Sequence, residues 1–346
     1  MYSVDKNNFR RFLIDFPGQI TGARQNFKNS GLKLNSEKIK NIIVLGMGGS
    51  AIAGDLIHDV YVDQLKIPMT IVRGYVAPGY CTENSLIIVS SYSGNTEETL
   101  SAAEQLAGCG AQVVAITSGG TLFDLAKKNN WPVLRIQEGF PPRQALGLLF
   151  ISTLLILNEA GVISVSEQEL DQLEHHCSIL VNRNNEQTAE TSILGKDLAI
   201  RVKCKIPVVY GSAPYLSAIS KRWQNQFHEN AKSIAFSNVL PEMNHNEIVG
   251  WEMESTATKE FIVIFLEDIE NHPRVNARIR LTKSILSDRD IEVLEIYSEG
   301  STRLERILSL VILGDWVTYY LALLYEKDPV EILNIDYLKS ELKKLN

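Results

Sequence analysis

The chain has 346 residues, 45% of them hydrophobic and 22% charged, and a formal net charge of −7. Domains run to about 100 to 200 residues, so two are expected, and the dispersed acidic charge, without a basic stripe interleaved with aromatics, excludes nucleic acid and an anionic membrane surface as expected partners. The four cysteines, Cys81, Cys109, Cys177 and Cys204, form no C-x-x-C pair and fit a reducing, cytoplasmic compartment without a disulfide framework or structural zinc.

The opening MYSVDKNNFRRFLIDF lacks the apolar core and cleavage site of a signal peptide, and residues 1–35 read as a helical lead-in. From Lys40, short Val/Ile-rich runs alternate with helical patterns: NIIVLG, AIAGDLIHDVYVDQL, MTIVRG, SLIIVSS, EETLSAAEQLA, QVVAIT, LFDLAKKN and PVLRI. Runs that are apolar throughout belong to strands covered by helices on both faces, which predicts an α/β, doubly wound, flavodoxin-like unit with a parallel sheet over 36–190. The stretch ALGLLFISTLLIL, within Gln144 to Asn158, is short of the ~18 residues that span a bilayer and reads as a buried core helix; no membrane partner is expected.

A polar segment, SEQELDQLEHHCSILVNRNNEQTAETS, interrupts the alternation. A second round follows over 191–346: IPVVYGSAPYLSAISKRWQNQF, SIAFSN, EFIVIFLED, ARIRLTKSILSD and IEVLEIYS, then helical patterns at Arg303 to Glu326 and Pro329 to Lys343, separated by Asp328-Pro329. The order of strand, Gly/Ser turn and helix in VLGMGGSAIAGDL returns in VVYGSAPYLSAISKRW, which suggests that the second half repeats the first.

Two turns carry the chemistry. Gly46-Met47-Gly48-Gly49-Ser50-Ala51 follows a strand and opens a helix, so its amides are placed to receive an anion. It also satisfies G-x-G-x-x-A, but NAD would require an acidic residue about 20 positions on, where Val72-Arg73-Gly74 stands; Arg73 would suit a 2′-phosphate. The second turn, from Ser90 to Thr99, reads SSYSGNTEET and again opens a helix. Hydroxyls of Ser91, Ser93 and Thr96 can hydrogen-bond a phosphate dianion without a lysine. A helix cap is the competing use, but one cap needs one hydroxyl.

The pair GMGGS and SSYSGNTEET resembles the sugar isomerase (SIS) domain, in which the second loop grips a sugar phosphate. The likeness extends through FPPRQALG, NQFHENAK, PEMNHNEIVGW and GDWVTYYLALLYEKDPVEI, so the chain resembles the bifunctional phosphoglucose/phosphomannose isomerases. The resemblance implies two doubly wound SIS domains with C-terminal helices, and metal-independent conversion of an aldose 6-phosphate into a ketose 6-phosphate without a cofactor. It places substrate contacts on Gly49, Ser50, Ser91, Ser93 and Thr96, a positioning arginine on Arg143, and the catalytic base on Glu229. The ring-opening histidine falls on His245, and an assisting lysine on Lys339, with Lys327 as the other choice. The resemblance also implies a homodimer, to which the apolar Leu308, Val311, Ile312, Trp316 and Tyr320 would contribute a face.

The chemistry asks for the same residue types. Moving hydrogen between C1 and C2 through a cis-enediol needs one base that reaches two adjacent carbons, and a carboxylate does this. Charge developing on O1 and O2 calls for a cation such as Arg143, and opening the pyranose calls for a separate acid/base, which a histidine supplies near neutral pH. From spacing alone, Glu229 equally fits a solvated helix end, Arg143 a surface-paired residue at a helix start, and His245 a loop histidine bonded to backbone; His228 rivals His245. Neither H-E-x-x-H nor a His/Cys/carboxylate cluster marks a metal site. Ile332 stands near where the family carries a polar residue, which bears on the choice of C2 epimer. The readings outside this class are a phosphosugar-binding SIS protein without activity, for which residues 1–35 are too few to hold a helix-turn-helix, and an NADP-dependent oxidoreductase.

Overall fold

The computed structural model describes residues 4–189, 192–253 and 256–345. The chain divides into two compact units, Asp15–Ile179 with Thr302–Glu305, and Met1–Ile14 with Leu180–Ser301 and Arg306–Asn346. The boundary expected between residues 190 and 191 lies outside the described residues.

Before the first sheet come helices α1 (Arg10–Ile14) and α2 (Phe16–Ser30), the latter stopped by Gly31 in the left-handed region at φ 58°. The first unit then runs β1 (Asn41–Leu45), α3 (Gly48–Tyr61), β2 (Met69–Val72), β3 (Ser85–Ser90), α4 (Glu97–Gln105), β4 (Gln112–Thr117), α5 (Gly120–Lys128), β5 (Val133–Arg135), α6 (Leu146–Glu159) and α7 (Glu167–Asn184). Its strands are parallel in the order β2-β1-β3-β4-β5, with Ile43 opposite Ile87 and Ile87 opposite Val113. Every residue of β3 is buried, as a central strand with helices on both faces requires. Leu146 to Leu157 of α6 are buried too, in accord with the core-helix reading of ALGLLFISTLLIL. Residues Glu167–Asn184 of the polar segment that interrupts the alternation form α7, a helix of 18 residues that continues into the other unit at Leu180.

The second unit contains α8 (Leu194–Val202), β6 (Ile206–Ser212), α9 (Ser217–Glu229), β7 (Phe236–Leu240), β8 (Phe261–Glu267), α10 (Pro273–Ser287), β9 (Glu292–Tyr297), most of α11 (Arg303–Leu324), and α12 (Leu333–Leu342). The strands are again parallel, in the order β7-β6-β8-β9. This repeats the first four positions of the flavodoxin-like order, so both sheets wind outward in two directions from a central pair, β1/β3 and β6/β8. The expected α/β architecture of two doubly wound parallel sheets is what the chain adopts.

Two details differ from the sequence reading. Helix α12 starts at Leu333 instead of Pro329, because Ile332, at φ −136° and ψ 49°, is not yet helical. Helix α11 is long and apolar enough by length and composition to cross a bilayer, yet 94% of its apolar window is buried. Leu308, Val311, Ile312, Trp316 and Tyr320 are 0 to 3% exposed, so the face assigned to a second subunit is spent on the chain's own core.

Candidate active site

In a doubly wound sheet, ligands collect beyond the carboxyl ends of the strands where the winding direction reverses. For the first sheet that point lies between β1 and β3, which places the two turns singled out above side by side. A Cβ on Gly46 would stand 3.1 Å from the Ser90 carbonyl oxygen, and Gly48 takes φ +49°, where glycine is the favoured residue. A Cβ on Gly49 would meet the Pro142 carbonyl oxygen at 2.9 Å and lie 3.5 Å from the Arg143 Cα. The start of α3 therefore rests on the backbone that carries Arg143, and Ser50 is buried in the first turn.

The loop after β3 is tied down on several sides. The Ser91 amide donates to the Ile116 carbonyl at 3.0 Å, Gly94 N–H to the Ser91 carbonyl at 3.1 Å, and Leu122 N–H to the Gly94 carbonyl at 2.8 Å. Gly94 adopts φ +69°, and a Cβ there would fall 1.8 Å from the Gly119 carbonyl oxygen, so no other residue fits without moving the backbone. The Tyr92 hydroxyl donates to the Gln137 carbonyl at 3.0 Å and accepts from the Phe140 amide at 2.8 Å. Within this frame Ser91 Oγ and Thr96 Oγ1 are 2.9 Å apart. Thr96 occupies the cap position of α4, but its side chain makes no capping bond. Ser93 is exposed and accepts from the Asn95 amide at 3.3 Å. The hydroxyls are therefore not consumed in capping α4, which favours the anion reading.

Arg143 is 4% exposed, which rules out the surface-paired alternative. Its segment is fixed through Gln19, whose amide donates to the Gln144 carbonyl at 2.8 Å and whose Oε1 accepts from Leu148 N–H at 3.3 Å. Arg73, the group that would take a 2′-phosphate, is paired with Asp55.

Glu229 is the last residue of α9 and is half-buried. Its neighbour His228 lies with Nε2 3.0 Å from the Ala235 carbonyl oxygen and 3.1 Å from the Ala235 amide. These two bonds need opposite tautomers, so one forms at a time; either occupies Nε2 with backbone and weakens His228 as a rival. His245 ends a 3-10 turn with an exposed ring that makes no hydrogen bond among the described residues. Its loop is held firmly. Glu247 accepts from the Tyr210 hydroxyl and from the Asn238 amide at 2.6 Å, Trp251 donates to the Tyr210 oxygen at 2.8 Å, and Asn244 donates to Thr282 at 2.9 Å. Burial, reinforced by the Glu247 carboxylate, pushes the Tyr210 phenol far above its ordinary value, so it acts as a neutral donor.

Lys339 on α12 and Lys327 before it are both exposed. Gly49, Ser50, Ser91, Ser93, Thr96 and Arg143 belong to one compact unit, and Glu229, His245 and Lys339 to the other. Among the described residues no hydrogen bond or ion pair joins Glu229 to His245 or Lys339. Nor, among them, does any group of three or more His, Cys, Asp or Glu side chains have the arrangement of a metal site. Sequence reasoning missed Arg222 and Asp315, a buried ion pair at 2.8 Å on α9 and α11; the signal was an aspartate inside the apolar run LVILGDWVTYYLALL.

A family model of the SIS domain matches residues 36–126, and one of the bacterial phospho-glucose isomerase C-terminal SIS domain matches residues 192–342. A bifunctional phosphoglucose/phosphomannose isomerase of Caldicellulosiruptor bescii is 39% identical over 333 residues, 96% of this chain and 98% of the relative. One of the same name from Aquifex aeolicus is 35% identical over 326 residues, 94% of this chain and 97% of the relative. A hypothetical protein from Thermus thermophilus superimposes with a TM-score of 0.77 at 14% identity, covering 98% of this chain and 91% of that one, which shows a shared fold.

Proposed function

Because the chain belongs to the bifunctional phosphoglucose/phosphomannose isomerase family, we propose that it interconverts glucose 6-phosphate and mannose 6-phosphate with fructose 6-phosphate through a cis-enediol. The observation that carries this reading is the likeness over almost the whole length of the relatives, which takes in both SIS domains. The Ser91–Thr96 hydroxyl pair at the reversal point of the first sheet supports it.

In this mechanism the phosphate is held by Ser91, Ser93 and Thr96 with the turn at Gly49 and Ser50. Glu229 takes the proton from one of C1 and C2 and returns it to the other while the hydroxyl proton passes between O2 and O1, needing a carboxylate that is ionised yet partly withdrawn from water; its half-buried position at a helix end suits that. Arg143 offsets the charge that develops on O1 and O2. His245 exchanges a proton with the ring oxygen to open the pyranose, assisted by Lys339. No step calls for a metal or a redox cofactor. Ile332, immediately before α12, puts an apolar side chain where a polar one is expected, and a shifted glucose-to-mannose ratio follows from it.

We keep the division into a lead-in over 1–35 and SIS domains over 36–190 and 191–346 as part of this reading, with a cytoplasmic location and no nucleic-acid or membrane partner. A homodimer is also proposed. Its support is α12, which buries none of its residues and exposes Leu333, Tyr337 and Leu338, and sedimentation showing an active monomer at assay concentration would refute it.

The class is tested by incubating purified protein with fructose 6-phosphate and measuring glucose 6-phosphate and mannose 6-phosphate separately. Both products are expected. Formation of neither would overturn the assignment, and formation of only one would narrow the substrate range.

A further inference from the structure

Helix α9 ends at Glu229, and its buried face is unusually polar. Arg222, Gln226 and Asn230 recur every four residues along one stripe and are 3%, 1% and 0% exposed. Opposite them α11 presents Asp315 and Thr318, 3% and 0% exposed. The two helices approach closely at Gly314, where a Cβ would stand 2.5 Å from the Trp223 indole nitrogen, which instead donates to the Leu310 carbonyl at 2.8 Å.

The polar groups on this seam answer one another. Asp315 accepts from Arg222 at 2.8 and 2.9 Å and from the Gln226 amide at 2.7 Å. The Thr318 hydroxyl donates to the Gly314 carbonyl at 2.9 Å and accepts from the Asn230 amide at 3.0 Å. Just beyond, Lys232 places its ammonium on the carbonyls of Glu229 at 2.9 Å and Asp328 at 2.6 Å. Apolar side chains would hold two helices together at least as well, since a buried ion pair is not a dependable source of stability. Directional bonds add a fixed rotation and a fixed advance of one helix along the other. Here they gather around the end of α9, at residues three before, one after and three after Glu229.

We propose that Asp315 and Thr318 are positioning residues that set the Glu229 carboxylate against C1 and C2 of the substrate; this rests on the reading of Glu229 as the base. A base serving two adjacent carbons tolerates little displacement, and an error of about 1 Å costs about a hundredfold. The positioning acts through Glu229 alone, so it vanishes where Glu229 cannot take a proton.

Thr318→Val keeps the shape and removes the acceptor for Asn230, whereas Thr318→Ser keeps the hydroxyl. Expected for Thr318→Val is a kcat lowered about tenfold or more, with KM for fructose 6-phosphate within about twofold of the parent, and recovery in Thr318→Ser. Added to Glu229→Gln, Thr318→Val should cause no further loss, because the two act through one group. Gln226→Met, which leaves the Arg222–Asp315 pair in place, should behave as Thr318→Val does and serves if that variant does not fold. Parent-like kcat in both folded variants, with Glu229→Gln inactive, overturns the positioning role while leaving the base in place. An equal fractional loss in the Glu229→Gln background also overturns it, marking a general structural effect. A fully active Glu229→Gln overturns the base assignment first and the positioning role with it.

Discussion

Ser91 Oγ and Thr96 Oγ1 stand 2.9 Å apart across the turn that Gly94 closes. One hydroxyl donates to the other, so the two do not rotate independently, and their remaining donor and acceptor capacity is oriented before a ligand arrives. Such ordering lowers the entropic cost of gripping a phosphate. The first turn of α4 adds its amides, which the Thr96 side chain does not cap.

Removing a hydroxyl from this loop, whether Ser91 of the pair or the exposed Ser93, is expected to weaken binding more than turnover. Ser91→Ala and Ser93→Ala should each raise KM for fructose 6-phosphate about tenfold or more, since a hydrogen bond to a charged group contributes roughly 1.5–3 kcal/mol. Inhibition by inorganic phosphate should weaken in parallel. Unchanged KM in both variants would take the loop out of phosphate binding.

Activity is expected to survive prolonged dialysis against a strong chelator with no metal added back, because the proposed proton transfers rest on Glu229, His245 and Lys339. Initial rates before and after dialysis decide it. Loss of activity that zinc restores would contradict a metal-independent mechanism.

Stability should depend on pH through Lys283, which is 3.1 Å from Glu267 and 2.9 Å from Glu295. Hydrogen bonding to Lys283 holds Glu295 below its ordinary 4.5, against the opposing effect of burial. Burial pulls Lys283 down, but its bonds to Glu295 and Glu267 outweigh this and keep it above 10.5. A depressed carboxylate stabilises above its unfolded value and loses that contribution as pH falls through the folded one, while a raised ammonium stabilises below its unfolded value and loses it as pH rises through the folded one. The Lys283–Glu295 pair thus contributes fully between 4.5 and 10.5. Lys283→Met is expected to cost about 1 to 2 kcal/mol, with a Tm deficit that is flat from about pH 6 to 9 and shrinks on acidification below about 4.5. A deficit that grew with acidification would contradict this.

The sheets and the phosphate loop were legible because their determinants are local. Four-residue apolar runs, IIVL and LIIV, mark β1 and β3, and Ser91, Ser93 and Thr96 fall within six consecutive positions. What could not be read depends on pairing across long stretches of chain. Arg222 and Asp315 are 93 residues apart, and a charged residue at helical spacing looks the same in sequence whether it meets solvent or a buried partner. Arg143 posed the same ambiguity, which its burial resolves. The apolar residues of α11 were misassigned to a subunit face for a related reason: a helix apolar all round signals burial without saying by what. The start of α12 moved because a proline permits a helix to begin but does not oblige it.

The central claim, that Glu229 carries hydrogen between C1 and C2, is tested most directly by following exchange of the C2 hydrogen of glucose 6-phosphate in deuterated water. This reports proton abstraction whether or not net isomerisation occurs. The parent enzyme is expected to exchange, and Glu229→Gln, which keeps the size of the side chain but cannot take a proton, to exchange about a hundredfold more slowly or worse, with KM little changed. Exchange and turnover at the parent rate in Glu229→Gln would remove Glu229 from the mechanism and pass the role of base to a histidine.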